Sequence, residues 1–229
     1  MDTSEYDQIP YERSCIPTAS PERLAMLARL AGFAAPGLDS PRVLEIGCGD
    51  GGNLLPLAFY HPGWKIVGID PSKVAIDKAE QARQLLGLEN LSFETMDVRE
   101  LEPGEGFDFV LCHGVYSWVA PDVREAILDR GASVLSPHGL FYLSYNTQPG
   151  WGMRGLVRDR LRATHSGSSL KDSAQRAKNT LGQLTSLLGE AEGHPYIDLL
   201  KRELDFASNR PVYHLTHEYL TEHNRAFWF

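Results

Sequence analysis

Three acids and one knot of glycines carry the chemistry this sequence could do. Gly47-Cys48-Gly49-Asp50-Gly51-Gly52-Asn53 follows Val43-Leu44-Glu45-Ile46, a short apolar run broken by a single acid. Glycine suits a tight turn where a ligand must lie against the backbone, because a Cβ would intrude. Asp70 closes the next apolar run and stands 23 residues after Gly47. An acid at that distance is placed to accept hydrogen bonds from ribose hydroxyls. Asp97-Val98 follows a third run that begins at Leu91. Together these residues read as nucleotide binding. Taken alone they leave a dinucleotide cofactor open, since glycine patterns of this kind and a second-strand acid occur in dehydrogenases too.

Strands alternating with helix-length segments must position those residues. The strand-like runs end at Ile46, Asp70, Glu94, Cys112 and Tyr145, with helical segments expected at 54–60, 72–87 and 121–134 and a turn at 136–139. This alternation predicts an α/β fold, a Rossmann-like doubly wound parallel sheet. Its ligands bind beyond the carboxyl ends of the strands. Gly47, Asp70, Asp97, His113 and Asn146 fall at those ends, so one pocket is implied. Ahead of it, residues 1–40 form an arm and a cap helix, with Ser20 as N-cap and Pro21 opening the helix. Tyr6 and Tyr11 on the arm read either as part of a lid or as surface packing. Residues 41–150 make the core. Residues 151–229 read as a helical extension, with helices at 153–165, 171–188 and 196–208, a serine-rich bend at 166–169 and a strand-like 211–215. Those helices either cover the substrate mouth or pack on the sheet edge.

Composition excludes several classes. A formal charge of −8 argues against general affinity for nucleic-acid backbones and suits basic partners such as lysine-rich protein surfaces. Cys15, Cys48 and Cys112 suggest neither a disulfide framework nor a metal site. No apolar run approaches the roughly 18 residues of a membrane span, and the first residues are polar, so no membrane segment or signal peptide is expected. A cytoplasmic location follows.

The segments Glu45-Ile46-Gly47-Cys48-Gly49-Asp50-Gly51, then Gly68-Ile69-Asp70-Pro71-Ser72, then Met96-Asp97-Val98 resemble, in that order, the class I S-adenosylmethionine-dependent methyltransferases. In that family the three segments hold the methionine moiety, the ribose and the adenine. The resemblance therefore implies S-adenosyl-L-methionine as cofactor and S-adenosyl-L-homocysteine as product. It implies cofactor-binding roles for Glu45, Gly47, Cys48, Gly49, Asn53, Asp70, Pro71, Ser72, Asp97, Val98 and His113, with Tyr11 from the arm. The runs that begin at His113, Ser144 and His217, together with Pro10-Tyr11 and Ser20-Pro21-Glu22-Arg23-Leu24-Ala25, look like one bacterial subgroup. It carries a methyltransferase regulatory domain after the core and includes the rickettsial protein-lysine methyltransferases. Members are longer, and a full core has two further strands. The resemblance thus implies a core lacking its last strands, in a shortened relative or a fragment. Phe227-Trp228-Phe229 would then serve self-association or a missing C-terminal domain.

Methyl transfer from a sulfonium is an in-line displacement, governed by how donor and nucleophile are held. Aromatic faces suit a methylammonium acceptor. Tyr116, Tyr145 and Asn146 are the candidates for acceptor contact, while Trp118 and Trp151 read as packing. His113 is a candidate base, its ordinary pKa being near neutrality, or else a hydrogen-bonding residue of its loop. The expected activity is methyl transfer to a protein side chain, with lysine a candidate. The alternatives are a small-molecule methyltransferase and a non-catalytic S-adenosylmethionine-binding module, with a dehydrogenase remote. A nucleic-acid acceptor is disfavoured by the charge and by the lack of an Asn/Asp-Pro-Pro-Tyr/Phe motif.

Overall fold

A computed structural model of the chain describes residues 7–10, 14–104, 106–164, 170–189, 191 and 193–228. Tyr6, Tyr11, the bend expected at 166–169 and Phe229 lie outside them. The chain divides into two compact units, Met1–Tyr145 and Asn146–Phe229.

In the first unit α1 (Pro21–Leu30) precedes β1 (Arg42–Ile46), α2 (Leu54–Tyr60), β2 (Lys65–Asp70), α3 (Lys73–Leu85) and β3 (Leu91–Thr95). β4 (Phe107–Cys112), α4 (Pro121–Ser133) and β5 (Leu135–Leu143) follow. The strands pair in parallel in the order β3-β2-β1-β4-β5. This is the doubly wound, Rossmann-like sheet the sequence implies. Neighbouring residues explain the double winding. Val43 and Phe109 bury with Leu54, Leu55 and Ile76 in one core, whereas Leu44 and Val110 bury with Val98, Val123 and Ile127 in another. A strand covered on both faces needs a nearly continuous apolar run, which β1 has from Val43 to Ile46 apart from Glu45 and β4 has from Phe109 to Cys112. The order reverses between β1 and β4, where a crevice opens beyond the strand ends.

The turn expected at 136–139 is instead part of β5. Phe107 pairs with Leu135 but Phe109 with Leu140, so the extra residues bulge from the strand. Ser136 Oγ donates to Asp108 Oδ1 at 3.0 Å and holds the bulge. A Cβ on Gly139 would lie 2.8 Å from the Phe107 carbonyl oxygen, so only glycine fits there. Pro137 is tolerated because β5 is an edge strand.

The second unit contains β6 (Asn146–Thr147), α5 (Trp151–Ala163), α6 (Leu170–Leu188), α7 (Pro195–Ser208), α8 (Val212–Leu215) and β7 (Ala226–Phe227). Val157, Leu161, Ala177, Leu181, Leu204 and Tyr219 bury together. The strand-like 211–215 is helical, running from α8 into a wider π-type turn, Thr216–Leu220. Leu215, Thr216 and His217 are buried in succession, and Tyr219 and Leu220 are buried one turn on, which is not the every-second-residue burial of a one-faced strand. Thr216 Oγ1 donates to the Val212 carbonyl at 2.9 Å. β6 and β7 pair in parallel as a separate two-stranded sheet. Among the described residues, no sixth or seventh strand joins the five-stranded sheet.

Candidate functional site

The strand β1 carries Glu45 into the interior, where its side chain is 4% exposed. One carboxylate oxygen accepts from Asn53 Nδ2 at 2.9 Å. The other, Oε2, is buried with no hydrogen-bond partner among the described residues. Burial raises the Glu45 pKa to about 8, against the Asn53 hydrogen bond and with a smaller push from Asp70. A buried acid with one open oxygen is the arrangement a cationic ligand group would complete.

The glycine turn wraps that position. Gly47 has φ +75°, and a Cβ there would lie 2.5 Å from Val115 Cγ2. Its N–H and that of Cys48 donate to the Ile69 carbonyl at 2.8 and 3.1 Å. Gly49, φ +53°, has nothing within 4 Å of where a Cβ would stand, so open space lies over it. The Cys48 thiol is buried and pushed well up, chiefly by burial and then by the Asp70 and Glu45 charges, which makes it a packing group rather than a nucleophile.

Asp70, at the end of β2, knits the turn to the next helix. Its Oδ2 accepts from Gly49 N at 2.9 Å and its Oδ1 from Ser72 N at 2.8 Å. Burial raises its pKa, the two backbone bonds oppose, and the Asp7 charge adds a lesser push upward. Pro71 is half-buried between Asp70 and buried Ser72. Ser72 caps α3, its Oγ accepting from Ala75 N at 3.0 Å. Asp97, two residues past β3, caps the short turn Val98–Glu100 and pairs with Arg99 at 2.7 Å, which holds its pKa low. Val98 is buried in the core.

On the far side of the crevice, His113 follows β4. Its Nδ1 lies 3.0 Å from the Tyr142 hydroxyl, and burial lowers its pKa. The Tyr142 hydroxyl is in turn 3.4 Å from Thr18 Oγ1. Gly114 N donates to Ser144 Oγ at 2.7 Å, fixing the loop after β4 to the end of β5. The Tyr116 and Tyr145 rings meet edge to face, centroids 6.2 Å apart. Asn146 belongs to the second unit, where its Nδ2 lies 3.3 Å from Asn224 Oδ1. Tyr11 is outside the described residues.

Sequence reasoning singled out Asn53 but missed its partner. Asn53 Oδ1 accepts from the backbone N–H of Ile16 at 2.9 Å. It also missed Asp7, which accepts from Ser72 Oγ at 2.5 Å, and Tyr142. No local signal marks Asp7 or Ile16. Tyr142 could have been found as a polar-tipped residue two before Ser144 on the strand facing His113.

A methyltransferase-domain family matches residues 43–139. An uncharacterized protein of Rickettsia prowazekii (strain Madrid E) is 37% identical over 231 residues, 100% of this chain and 41% of its own length. A second from the same strain is 32% identical over 226 residues, 98% of this chain and 90% of its own. The structure of PKMT2 from Rickettsia typhi in complex with AdoHcy is similar with TM-score 0.84 and 32% identity, over 95% of this chain and 42% of that one. The chain thus spans less than half of two of these three proteins. No helix among the described residues is long and apolar enough to cross a membrane.

Proposed function

The chain belongs to the class I S-adenosylmethionine-dependent methyltransferases, and from that premise we propose that it methylates a protein side chain, with lysine the favoured acceptor. The observation that carries this acceptor class is how far the likeness extends. The methyltransferase-domain family ends at residue 139, whereas the similarity to PKMT2 covers 95% of the chain and so takes in most of the helical second unit. A shared catalytic core alone would leave the acceptor open.

The pocket suits the cofactor. The open Oε2 of Glu45 fits an ammonium group, as the methionine moiety carries, and the space over Gly49 admits a ligand against the backbone. Asp70 keeps acceptor capacity for ribose hydroxyls beyond its two backbone bonds, because each carboxylate oxygen has two lone pairs. The Asp97 carboxylate is fixed by its cap and ion pair, a stable edge for the adenine. The cofactor brings a methyl group on a sulfonium. On the acceptor side, Tyr116 and Tyr145 offer ring faces for a cationic amine. His113, neutral near pH 7 because burial lowers its pKa, can take the proton a lysine must lose, with Tyr142 orienting the ring.

Methyl-labelled S-adenosylmethionine, incubated with the chain and a bacterial lysate, tests this. Label in acid-precipitated protein, recovered on lysine, is the expected result. Label confined to small molecules would replace the protein acceptor with a metabolite. Cofactor binding without label in any fraction would make the chain a binding module.

A further inference from the structure

Two side chains of the cofactor pocket are also the anchors of the amino-terminal segment. Asn53 is 5% exposed, and its amide is committed at both ends. A backbone N–H can only donate, so Oδ1 must face Ile16 N, and that leaves Nδ2 for Glu45 Oε1. Turning the amide over would break both bonds. Ser72 has one hydroxyl proton, which goes to Asp7 Oδ1, while its own N–H holds Asp70 Oδ1. Each of the two acids that face the cofactor is therefore one residue away from the arm.

We infer that docking of the segment carrying Asp7 and Ile16 is coupled to cofactor binding through two relays, Ile16–Asn53–Glu45 and Asp7–Ser72–Asp70. The sign of the coupling is positive. Docking fixes the Asn53 amide and with it the Glu45 carboxylate, and the Asp7 bond to the Ser72 hydroxyl steadies the residue whose backbone N–H holds Asp70; both acids are thus held before the ligand arrives, and less freedom is lost on binding. Docking also brings the Asp7 charge toward Asp70, and an ammonium-bearing ligand relieves the resulting crowding of acids. Asn53 and Ser72 act as positioning residues here. This inference rests on the cofactor occupying the pocket as proposed above.

The test uses S-adenosylhomocysteine and the full chain. Coupling is reciprocal, so the ligand must strengthen docking if docking strengthens ligand binding. Hydrogen exchange at the Ile16 amide is expected to slow at least severalfold when the ligand saturates the chain. Asp7→Ala, a change on the arm that leaves the core intact, is expected to weaken ligand affinity about threefold with no change in melting temperature. Asp7→Asn, which keeps an acceptor for Ser72 Oγ, is expected to restore most of it. Asn53→Ala is expected to weaken affinity more and to speed Ile16 exchange. Ile16 exchange indifferent to the ligand, or Asp7→Ala binding as tightly as the parent, overturns the coupling. Asp7→Asn failing as badly as Asp7→Ala overturns the Ser72 relay. A parent chain that binds no S-adenosylhomocysteine removes the cofactor reading itself, a result distinct from the others.

Discussion

Glu45 in the first unit and Arg158 in the second are each 4% exposed, yet the molecule treats them in opposite ways. The Arg158 guanidinium is surrounded by acceptors. Nη1 donates to the Glu218 carbonyl at 3.1 Å, and Nη2 donates to the carbonyls of Thr221 and, at 3.4 Å, Glu222. It ties α5 to the turn that follows Thr216–Leu220, replacing the backbone partners that an irregular segment lacks. Among the described residues, Glu45 has a partner on one oxygen and none on the other. A buried charge whose hydrogen-bonding capacity is filled by its own chain is structure. One whose capacity is left open, at the end of a strand beside a glycine turn, is a candidate for binding a ligand group.

The largest effect that could break this contrast is in pH. An acid whose folded pKa is raised binds its proton more tightly in the native state than in the unfolded chain. Glu45 goes from 4.5 to about 8, so stability is full below pH 4.5 and declines as pH rises to about 8, by on the order of 5 kcal/mol for this group. Asp70 and Glu218 shift in the same direction. Denaturant titrations of the ligand-free chain and of Glu45→Gln isolate the share of Glu45: the difference between the curves is expected to widen across that window. Parallel curves would mean that Glu45 is satisfied in the fold. S-adenosylhomocysteine binding at pH 7 is expected to release a proton, read as a heat that depends on the buffer.

Arg158→Ala is next in size. It strands several buried carbonyls at once and is expected to cost about 3 kcal/mol, read as lost helical signal at lower denaturant. The same substitution is expected to leave S-adenosylhomocysteine affinity within about twofold, the spread of a change that shares no partner with the binding residues. A tenfold loss would make Arg158 part of the binding machinery and end the contrast. Asp70→Ala works the other way. It frees the Gly49 and Ser72 N–H groups that shape the turn, and affinity is expected to fall at least tenfold, about 1.4 kcal/mol. Unchanged affinity in calorimetry would take Asp70 out of the site.

The stretch from Val43 to Asp70 was legible because its requirements are local. Glycine at positive φ, an acid at a strand end and a helix cap can each be read within a few residues. What the sequence hid depends on partners far along the chain. The Pro137–Gly139 signal says turn, but Asp108 holds Ser136 and turns the segment into a bulged edge strand. Asn146 pairs with Ala226, two residues to a strand, which leaves no periodicity to find. Arg158 sits among the arginines of the helix expected at 153–165, and only the carbonyls of 218–222 show why it is buried. Asn53 is readable as a pocket residue, whereas its second bond, to Ile16, has no mark in the sequence at all.

The smallest effect bears on whether His113 belongs with Glu45 or with Arg158. Its Nδ1 has a partner in Tyr142, so one side of the ring is filled by the chain, as in Arg158. The ring's other nitrogen decides the matter. If His113 takes the acceptor's proton there, Tyr142 matters by holding the ring in its plane and by fixing which nitrogen carries the hydrogen. Tyr142→Phe removes one hydrogen bond, typically worth about 1 kcal/mol, so methyl transfer is expected to slow roughly three- to tenfold. S-adenosylhomocysteine affinity should hold, and the acid limb of the rate–pH profile should move. The direction follows from burial, which already keeps His113 below its ordinary pKa: the limb lies on the acid side of neutrality, and activity is lost as pH falls through it. A slower enzyme with an unmoved limb would place His113 among the residues that only hold the loop.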